Sequence, residues 1–326
     1  MNVLVVGFGS IAARHVNNLR ALVPDAHVTA LRRSHAGESP AGVDAVVTDW
    51  ADGLAHPPDL ALICSPASAH VEQAVRAAEA GADLLIEKPI ADRLDDLSML
   101  RETIERCRRI ALVGYQFRFY PPLMAAKQAI AQGRIGRILS IRAEAGTYLP
   151  DWRPGRDYRQ TVSAQRRLGG GVLLELSHEL DLVRWLAGDV EEVCAVTGQL
   201  TDLDLDVEDL AEILLRFDGG AIGSVHIDMA DRMPHRTLRV VGDAGTLTWS
   251  WQSHEVRLGS PGREGWTSLW NETLDRNAMY VAETTHLLDC IASRQPASVG
   301  LDDGEAVLRI ALAARRSSEQ RRWVKP

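Results

Sequence analysis

The sequence is poor in the features that mark disulfide-rich, zinc-binding and membrane-spanning proteins. Its 326 residues include only four cysteines, at positions 64, 107, 194 and 290, and no two of them form a CxxC pair. Such scattered cysteines argue against a disulfide framework and a structural zinc site, so we expect buried, reduced thiols and no metal. No apolar run approaches the roughly 20 residues that a membrane-spanning helix needs, so we expect no membrane partner.

An excess of positive charge is also lacking. The chain has 36 Lys and Arg against 44 Asp and Glu, which gives a net charge of −8. A general nucleic-acid-binding protein usually carries a basic face, so no nucleic-acid partner is expected. The segment Met1–Gly7 has neither the basic stretch nor the small-residue cleavage site of a secretion signal, and it resembles a strand. These features favour a cytoplasmic protein.

The apolar pattern divides the chain into two parts of different fold class. In the first third, short apolar runs such as Val3–Val6 alternate with amphipathic segments, which is typical of a parallel sheet with crossover helices. After Pro121, consecutive strand patterns are separated by turn signals such as Asp218-Gly219-Gly220. We therefore predict an α/β chain: a doubly wound Rossmann domain over about 1–120, and an α+β domain with an open, mainly antiparallel sheet over 121–302. The last helix, about 303–317, is expected to pack back on the first domain.

A glycine-rich turn lies directly between the first predicted strand and the first predicted helix. Its sequence is Gly7-Phe8-Gly9-Ser10-Ile11-Ala12, a GxGxxA pattern. The first glycine permits a tight turn, the second lets the backbone approach a pyrophosphate, and the alanine lets helix and strand pack closely. Because the pattern stands where a dinucleotide site requires it, we predict that these six residues bind a nicotinamide dinucleotide. The alternative is a turn without a ligand.

The end of the second predicted strand indicates which dinucleotide is bound. An acidic residue there would accept hydrogen bonds from the ribose hydroxyls of NAD, but this chain has Arg32, Arg33 and Ser34. Arginine pairs with a phosphate through two parallel hydrogen bonds. We predict NADP, held through its 2′-phosphate by these three residues, with NAD as the other possibility. In that case the two arginines are only solvated.

Four segments, in order over nearly the whole chain, resemble the Gfo/Idh/MocA oxidoreductases, the relatives of glucose–fructose oxidoreductase and inositol dehydrogenase. They are the GxGxxA turn, Cys64-Ser65-Pro66-Ala67-Ser68-Ala69-His70, Glu87-Lys88-Pro89, and Gly169-Gly170-Gly171 leading to His178-Glu179-Leu180-Asp181. The stretch 114–121 also resembles the crossover between the domains of that family. The resemblance implies further cofactor contacts at Cys64, Ser65, Pro66, His70, Glu87, Lys88 and Gln116.

The same resemblance implies the catalytic residues. Lys88 would lie at the carboxyl end of a strand beside the nicotinamide, where it binds the substrate hydroxyl, and the peptide bond before Pro89 is often cis in the family. His178 would exchange the hydroxyl proton, since histidine titrates near neutral pH. On a single helix, Glu175 and Asp181 lie three residues before and after His178, so a carboxylate would orient the imidazole. The family's first carboxylate is an Asp four residues before the His, so Glu175 departs from its pattern. The alternatives are a solvated strand end for Lys88 and a structural histidine for His178.

Arginine and aromatic residues are concentrated just before the glycine turn. They include Trp152, Arg153, Arg156 and Tyr158, followed by Arg159, Arg166 and Arg167. Guanidinium groups suit carboxylate or phosphate, and the rings suit a sugar or base, so the segment favours an anionic substrate such as a sugar acid or nucleotide sugar. A subunit contact would have the same composition. For Arg118, a substrate contact and a structural role between the domains are both open.

The expected function is reversible hydride transfer between the nicotinamide and a hydroxyl or keto carbon of a sugar-type substrate. The chain would thus be an NAD(P)-dependent dehydrogenase or reductase acting on CH–OH groups, in which Lys88 stabilises the oxygen and His178 moves its proton. Two alternatives remain: a non-redox sugar-modifying enzyme with a tightly held cofactor, and a non-catalytic NADP-sensing protein. The open sheet suggests a homodimer or homotetramer.

Overall fold

The computed structural model describes residues 1–34, 39–262 and 264–326, which form two compact units. The first unit comprises Met1–Tyr115 and Tyr280–Glu305, and the second comprises Gln116–Met279 and Ala306–Pro326. The expected division differed at the C-terminal end, because we expected the last helix to return to the first unit. In the structure the returning segment is Tyr280–Glu305.

The first unit contains a six-stranded parallel sheet. Its strands are β1 (Asn2–Val6), β2 (His27–Leu31), β3 (Ala45–Val47), β4 (Leu60–Ile63), β5 (Asp83–Ile86) and β6 (Ala111–Val113). They lie in the order β3-β2-β1-β4-β5-β6, so the order reverses between β1 and β4. In sheets of this kind, ligands bind at the carboxyl ends of the strands beside that reversal.

The strands of this sheet are buried on both faces. Every side chain from Val3 to Val6 is at most 2% exposed, which explains the continuous apolar run in the sequence. The helices of the unit are α1 (Ser10–Leu22), α2 (Trp50–Gly53), α3 (His70–Glu79) and α4 (Leu97–Cys107). The predicted alternation of strands and helices, and with it the Rossmann fold, is therefore confirmed.

The second unit contains an eight-stranded sheet. Its strands are β7 (Ile138–Gly146), β8 (Val190–Gly198), β9 (Leu210–Phe217), β10 (Ile222–Asp228), β11 (His235–Gly242), β12 (Thr246–Ser250), β13 (Val256–Gly259) and β14 (Thr267–Trp270). The order is β14-β13-β12-β11-β7-β10-β9-β8, and β7 and β10 pair in parallel whereas the other pairs are antiparallel. The predicted open, mainly antiparallel sheet is confirmed, although the short strands β13 and β14 were not predicted.

The helices of the second part of the chain include one unexpected break. They are α5 (Pro121–Ala131), α6 (Val172–Glu175), α7 (Ser177–Ala187), α8 (Ala278–Ser293) and α9 (Leu301–Gln320), of which α8 belongs almost wholly to the first unit. The sequence predicted one helix where α6 and α7 stand. Leu176 separates them with φ −100° and ψ 30°, so Glu175 and His178 are not on one continuous helix.

The end of α9 is attached to the second unit through strand β8 and its neighbours. The amide of Ala195 donates to the hydroxyl of Ser317 at 3.0 Å, and Arg315 donates to Glu208 at 3.0 Å. Beyond the helix, Val324 forms an antiparallel bridge with Val193. These contacts agree with the grouping of residues from Ala306 onward with the second unit.

All four cysteines, which lie among the described residues, are free thiols, but only Cys290 is buried and the other three are partly exposed. The expectation of buried thiols was therefore wrong for Cys107 and Cys194, whereas the thiol of Cys64 is enclosed although the residue as a whole is partly exposed. Within the described ranges, no helix combines the length and apolar character needed to cross a membrane.

Candidate functional site

The glycine turn after β1 has the geometry that a dinucleotide requires. Gly7 has φ +80°, and its amide donates to the carbonyl of Leu31 at 3.0 Å. A Cβ on Gly7 would lie 2.8 Å from the Cα of Ser65, so a larger residue does not fit. Gly9 is the N-cap of α1, and a Cβ there would meet nothing within 4 Å. Backbone amides at the start of α1 are thus approachable by an anion.

The last residue of the motif fulfils the packing role that the sequence indicated. Ala12 is completely buried in α1. The other three positions, Phe8, Ser10 and Ile11, are at least partly exposed at the turn. The structure thus keeps the six motif residues together at the carboxyl end of β1, and their contact with a dinucleotide remains a prediction.

A cleft of about 200 Å³ lies beside this turn, at the carboxyl ends of β1, β2 and β4. Its lining includes Gly7, Arg32, Arg33, Trp50, Ser65 and Pro66. The backbone of Arg32 is fixed by its amide, which donates to Val47 at 2.9 Å, whereas Arg33 and Ser34 are exposed. The cleft therefore brings the predicted phosphate-binding arginines to the glycine turn. Ser34 is not among the residues that line it.

Trp50, which the sequence analysis missed, also lines this cleft. It begins the short helix α2, and the guanidinium of Arg76 lies 5.5 Å from the centroid of its ring. A tryptophan at the cleft offers a flat apolar surface to an adenine base. Its only signal in the sequence was its position a few residues after a short strand.

His70 connects the two segments that follow β4 and β5. It is 1% exposed, with Nδ1 2.9 Å from the carbonyl oxygen of Pro89 and Nε2 2.8 Å from that of Ser65. Burial lowers the pKa of His70, although the two carbonyls oppose that shift. His70 thus links the backbone at Ser65 to the backbone at Pro89. Ser65 in turn donates through its hydroxyl to Gln73 at 2.5 Å.

The segment Glu87-Lys88-Pro89 directly follows β5, as the resemblance implied, and the Lys88–Pro89 peptide bond is cis. Glu87 accepts a hydrogen bond from His15 Nε2 at 2.8 Å and another from the backbone amide of Lys88 at 3.1 Å. Burial alone would raise the pKa of Glu87, but His15 and the charge of Lys88 outweigh it and hold that pKa below its usual value. Glu87 is therefore an anion that fixes the backbone of Lys88.

In the second unit, Gln116 and Phe117 surround His178. The amide of Gln116 lies 3.3 Å from His178 Nε2, and the ring centroid of Phe117 lies 4.9 Å from that of the imidazole. His178 is the second residue of α7 and is 7% exposed. Gln116, which the resemblance placed among the cofactor contacts, is here a neighbour of the predicted acid–base residue.

The two carboxylates expected beside His178 have other surroundings. Asp181 accepts hydrogen bonds from Arg118: Nε lies 3.1 Å and 3.0 Å from the two carboxylate oxygens, and Nη2 lies 2.6 Å from Oδ1. Glu175 ends α6, where its amide donates to Gly171 at 2.9 Å. The expected helical spacing between Glu175 and His178 was wrong because the chain turns at Leu176, whereas Asp181 keeps its position three residues after His178 within α7. The ion pair gives Arg118 a structural contact within the second unit, and its contact with the substrate stays a prediction.

The arginine-rich segment is brought together around a small cavity of about 10 Å³, lined by Trp152, Arg153, Arg156 and Tyr158 among others. Trp152 donates from Nε1 to the carbonyl of Thr147 at 3.0 Å, and the Tyr158 hydroxyl accepts from the amide of Asp204 at 3.1 Å. The polar ends of both rings thus bond within the second unit. Arg153 and Arg156 are exposed.

The sequence analysis did not predict two further polar residues near Glu87. His15 is 1% exposed, and Glu283 in α8 is fully buried. The buried face of α8 includes Met279, Glu283 and Leu287, which recur at four-residue spacing. The signal in the sequence that could have identified Glu283 was therefore an acidic residue within the apolar stripe of a helix. For His15, the signal was its position on the buried side of α1 with Ala12 and Leu19.

Comparison with known proteins agrees with this geometry. Residues 1–115 match the model of an oxidoreductase family with an NAD-binding Rossmann fold, GFO/IDH/MocA. Residues 123–248 match the model of the GFO/IDH/MocA C-terminal domain. The two matches follow each other along the chain and together cover well over half of it.

Curated relatives match most of the chain. A myo-inositol 2-dehydrogenase of Thermotoga maritima is 28% identical, over 100% of this chain and 98% of the relative. The scyllo-inositol 2-dehydrogenase (NAD(+)) of Bacillus subtilis is 25% identical, over 96% of this chain and 92% of the relative. A levoglucosan dehydrogenase of Pseudarthrobacter phenanthrenivorans is 27% identical, over 66% of this chain and 61% of the relative.

Solved structures share the fold. A levoglucosan dehydrogenase in complex with NADH and levoglucosan superposes with a TM-score of 0.89 at 22% identity, over 100% of this chain and 99% of that one. GenD2 from gentamicin A biosynthesis, in complex with NAD, superposes with a TM-score of 0.84 at 26% identity, over 100% and 96% of the two chains. From the ordered motifs, the two family matches and the shared fold, we conclude that the chain belongs to the GFO/IDH/MocA family of oxidoreductases.

Proposed function

We propose that this oxidoreductase is a dehydrogenase of a sugar or cyclic polyol, which transfers a hydride between a CH–OH carbon of the substrate and a nicotinamide. The observation that carries the proposal is the hydrogen bonding around Lys88. The buried Glu87 anion accepts a hydrogen bond from the backbone amide of Lys88 at the carboxyl end of β5. This position is in the same unit as the glycine turn. The matched inositol and levoglucosan dehydrogenases support this substrate class.

The residues of this chain would bind the cofactor, orient the substrate and move a proton. Gly7 and Gly9 fit a dinucleotide, because one allows the tight turn and the other leaves open space at the start of α1. The bound nicotinamide would supply or accept the hydride. We propose that Lys88 stabilises the substrate oxygen and that His178 takes up or returns its proton. The Gln116 amide, at 3.3 Å, would hold the imidazole in one orientation.

We further propose that the cofactor is NADP. The relevant cleft presents Arg32 and Arg33, where an acidic residue would favour NAD. The cofactors named for the relatives are NAD(+) and NADH, so this chain would differ from them in its phosphate-binding residues. Binding of NAD by the same turn is the alternative.

An anionic substrate is proposed from Arg153 and Arg156, which are exposed next to Trp152 and Tyr158. A sugar acid or nucleotide sugar would supply the carboxylate or phosphate that guanidinium groups bind. Neutral inositols and levoglucosan form the natural comparison set, because they are the substrates named for the relatives.

The open face of the eight-stranded sheet is proposed to contact a second copy of the chain. Val196, Leu214 and Ile222 lie on that face of adjacent strands and are 71%, 52% and 60% exposed. Exposed apolar groups on one sheet face favour association. A homodimer or homotetramer would cover them.

The decisive test is a spectrophotometric screen of purified protein with NAD⁺ and NADP⁺ against inositols, levoglucosan, uronic acids and nucleotide sugars. Formation of reduced nicotinamide in proportion to substrate is the expected result. Product formation without net cofactor reduction would instead indicate a non-redox enzyme with a tightly held cofactor. Cofactor binding without turnover of any of these substrates would overturn the dehydrogenase proposal and indicate a binding protein.

A further inference from the structure

A carboxyl group without hydrogen bonds is buried in the first unit. Glu283 of α8 is 0% exposed, and neither of its carboxylate oxygens has a hydrogen-bond partner among the described residues. An ionised carboxylate in such surroundings would lose its hydration without replacement, which is very costly. Burial, reinforced by the negative charge of Glu87, raises the pKa of Glu283 well above its usual value.

The neighbouring carboxylate, Glu87, is in the opposite condition. It accepts hydrogen bonds from His15 at 2.8 Å and from the Lys88 amide at 3.1 Å. Hydrogen bonds to the charged form favour ionisation. Two buried carboxyl groups that interact electrostatically do not both ionise easily, so the one with donors holds the charge and the one without donors holds the proton.

From this pairing we propose that Glu283 is a positioning residue for Lys88: as a buried neutral acid it adds no second negative charge beside Glu87, and its ionisation at higher pH disrupts the Glu87–Lys88 bond. A second negative charge beside Glu87 would repel it and weaken the contact that fixes the Lys88 amide. The role of Lys88 in catalysis rests on the proposed function, whereas the charge state of Glu283 does not.

The groups around the two carboxyls come from several elements. His15 and Arg14 are on α1, and the guanidinium of Arg14 lies 4.6 Å from the ring centroid of Tyr280, which is one turn before Glu283 on α8. Cys64 follows β4, and burial together with the charges of Glu87 and Glu283 raises the pKa of its thiol. His70 and Lys88 also interact electrostatically with Glu87. Because several groups interact with Glu87, the effect of Glu283 on Glu87 is tested by substituting Glu283 alone.

The first test measures the charge state directly. The infrared spectrum of the wild type at neutral pH is expected to show the carbonyl band of a protonated carboxylic acid that is missing from Glu283→Gln. The matched control is Asp289→Asn, since Asp289 is an exposed acid on the same helix. If Glu283→Gln and the wild type have the same band, Glu283 is ionised and the proposal is overturned.

The second test measures the positioning. Hydrogen exchange at the Lys88 amide, corrected for its intrinsic pH dependence, is expected to lose protection at alkaline pH in the wild type and in Asp289→Asn. Glu283→Gln is expected to keep that protection. Equal loss in all three proteins would overturn the positioning role. If Glu283→Gln does not fold, Glu283→Leu replaces it, because leucine also removes the ionisation from an apolar stripe.

Activity gives a separate readout. An alkaline decline in kcat is expected to move to higher pH or disappear in Glu283→Gln, while the KM for the nicotinamide changes less than kcat. A chain without dehydrogenase activity would refute the proposed function, but the infrared and exchange results would still decide the role of Glu283. Activity with an unchanged alkaline decline in Glu283→Gln would refute the positioning role alone.

Discussion

Arg118 and Asp181 form a buried ion pair in which one guanidinium contacts both oxygens of one carboxylate, with Nη2 2.6 Å from Oδ1. Their side chains are 9% and 2% exposed. The pair joins the residues after β6 to helix α7, on which His178 lies. It therefore fixes the helix that carries the proposed acid–base residue.

Removing one member of this pair should destabilise the protein. Arg118→Ala leaves the Asp181 carboxylate buried without this guanidinium, so we expect a loss of about 3 kcal/mol in the free energy of unfolding. The matched control is Arg106→Ala, since Arg106 pairs with Glu79 at the surface at 2.8 Å and its removal should cost less than about 1 kcal/mol. Urea unfolding of both variants makes the comparison. Equal losses would contradict the buried role of Arg118.

Loss of the His178 imidazole should affect turnover far more than cofactor binding. For His178→Ala we expect kcat to fall by about 10²–10⁴-fold, because proton transfer by a positioned group contributes that much. The Kd for the reduced nicotinamide should stay nearly constant. His56→Ala is the control, because His56 is exposed. A His178→Ala protein with wild-type kcat would remove His178 from the mechanism.

The two glycines of the turn should respond differently to alanine. Gly7→Ala places a Cβ 2.8 Å from the Ser65 backbone at a φ of +80°, so we expect a loss of about 1–3 kcal/mol in stability together with weaker cofactor binding. Gly9→Ala meets no protein atom within 4 Å, so its stability should be close to that of the wild type. If a pyrophosphate approaches Gly9, this variant should nevertheless bind the cofactor more weakly. Thermal unfolding and fluorescence titration measure the two effects.

Arg32 and Arg33 should determine the preference for NADP. In Arg32→Ala/Arg33→Ala, the Kd for NADPH is expected to rise by about 10–100-fold while that for NADH changes little, which corresponds to roughly 1.4–2.8 kcal/mol. Arg108→Ala, at the end of α4, is a control for the loss of surface charge. A wild type that binds NADH more tightly than NADPH would show that the two arginines do not select the cofactor.

Folding stability should fall as pH rises, in part because of Glu283. Its pKa is raised in the folded state, whereas the unfolded chain has an ordinary value of 4.5. Above that value the unfolded state releases a proton that the folded state retains, so the stabilisation is lost progressively as pH increases. The melting temperature of Glu283→Gln, relative to that of the wild type, should therefore rise between about pH 5 and pH 8. A constant difference would contradict the raised pKa.

Local patterns were sufficient to predict the fold and the position of the glycine turn. Val3–Val6 is a run of apolar residues because both faces of β1 are buried, and Gly7 follows where a tight turn is needed. The break at Leu176 was not visible, because the apolar pattern continues through it. Nor was the pairing of His15 with Glu87, which are 72 positions apart, since no local signal reports which distant polar groups meet.

Helix α1 also has a mechanical consequence for how this enzyme could change. Its first turn begins at Gly9, and one turn further along His15 holds Glu87, which in turn fixes the Lys88 amide. A displacement of helix α1 would therefore be expected to alter dinucleotide affinity and the position of Lys88 at the same time. Substitutions at its ends would therefore rarely adjust one property alone. Arg33, by contrast, is exposed beside the cleft and outside α1, so a substitution there would leave the contact between His15 and Glu87 in place.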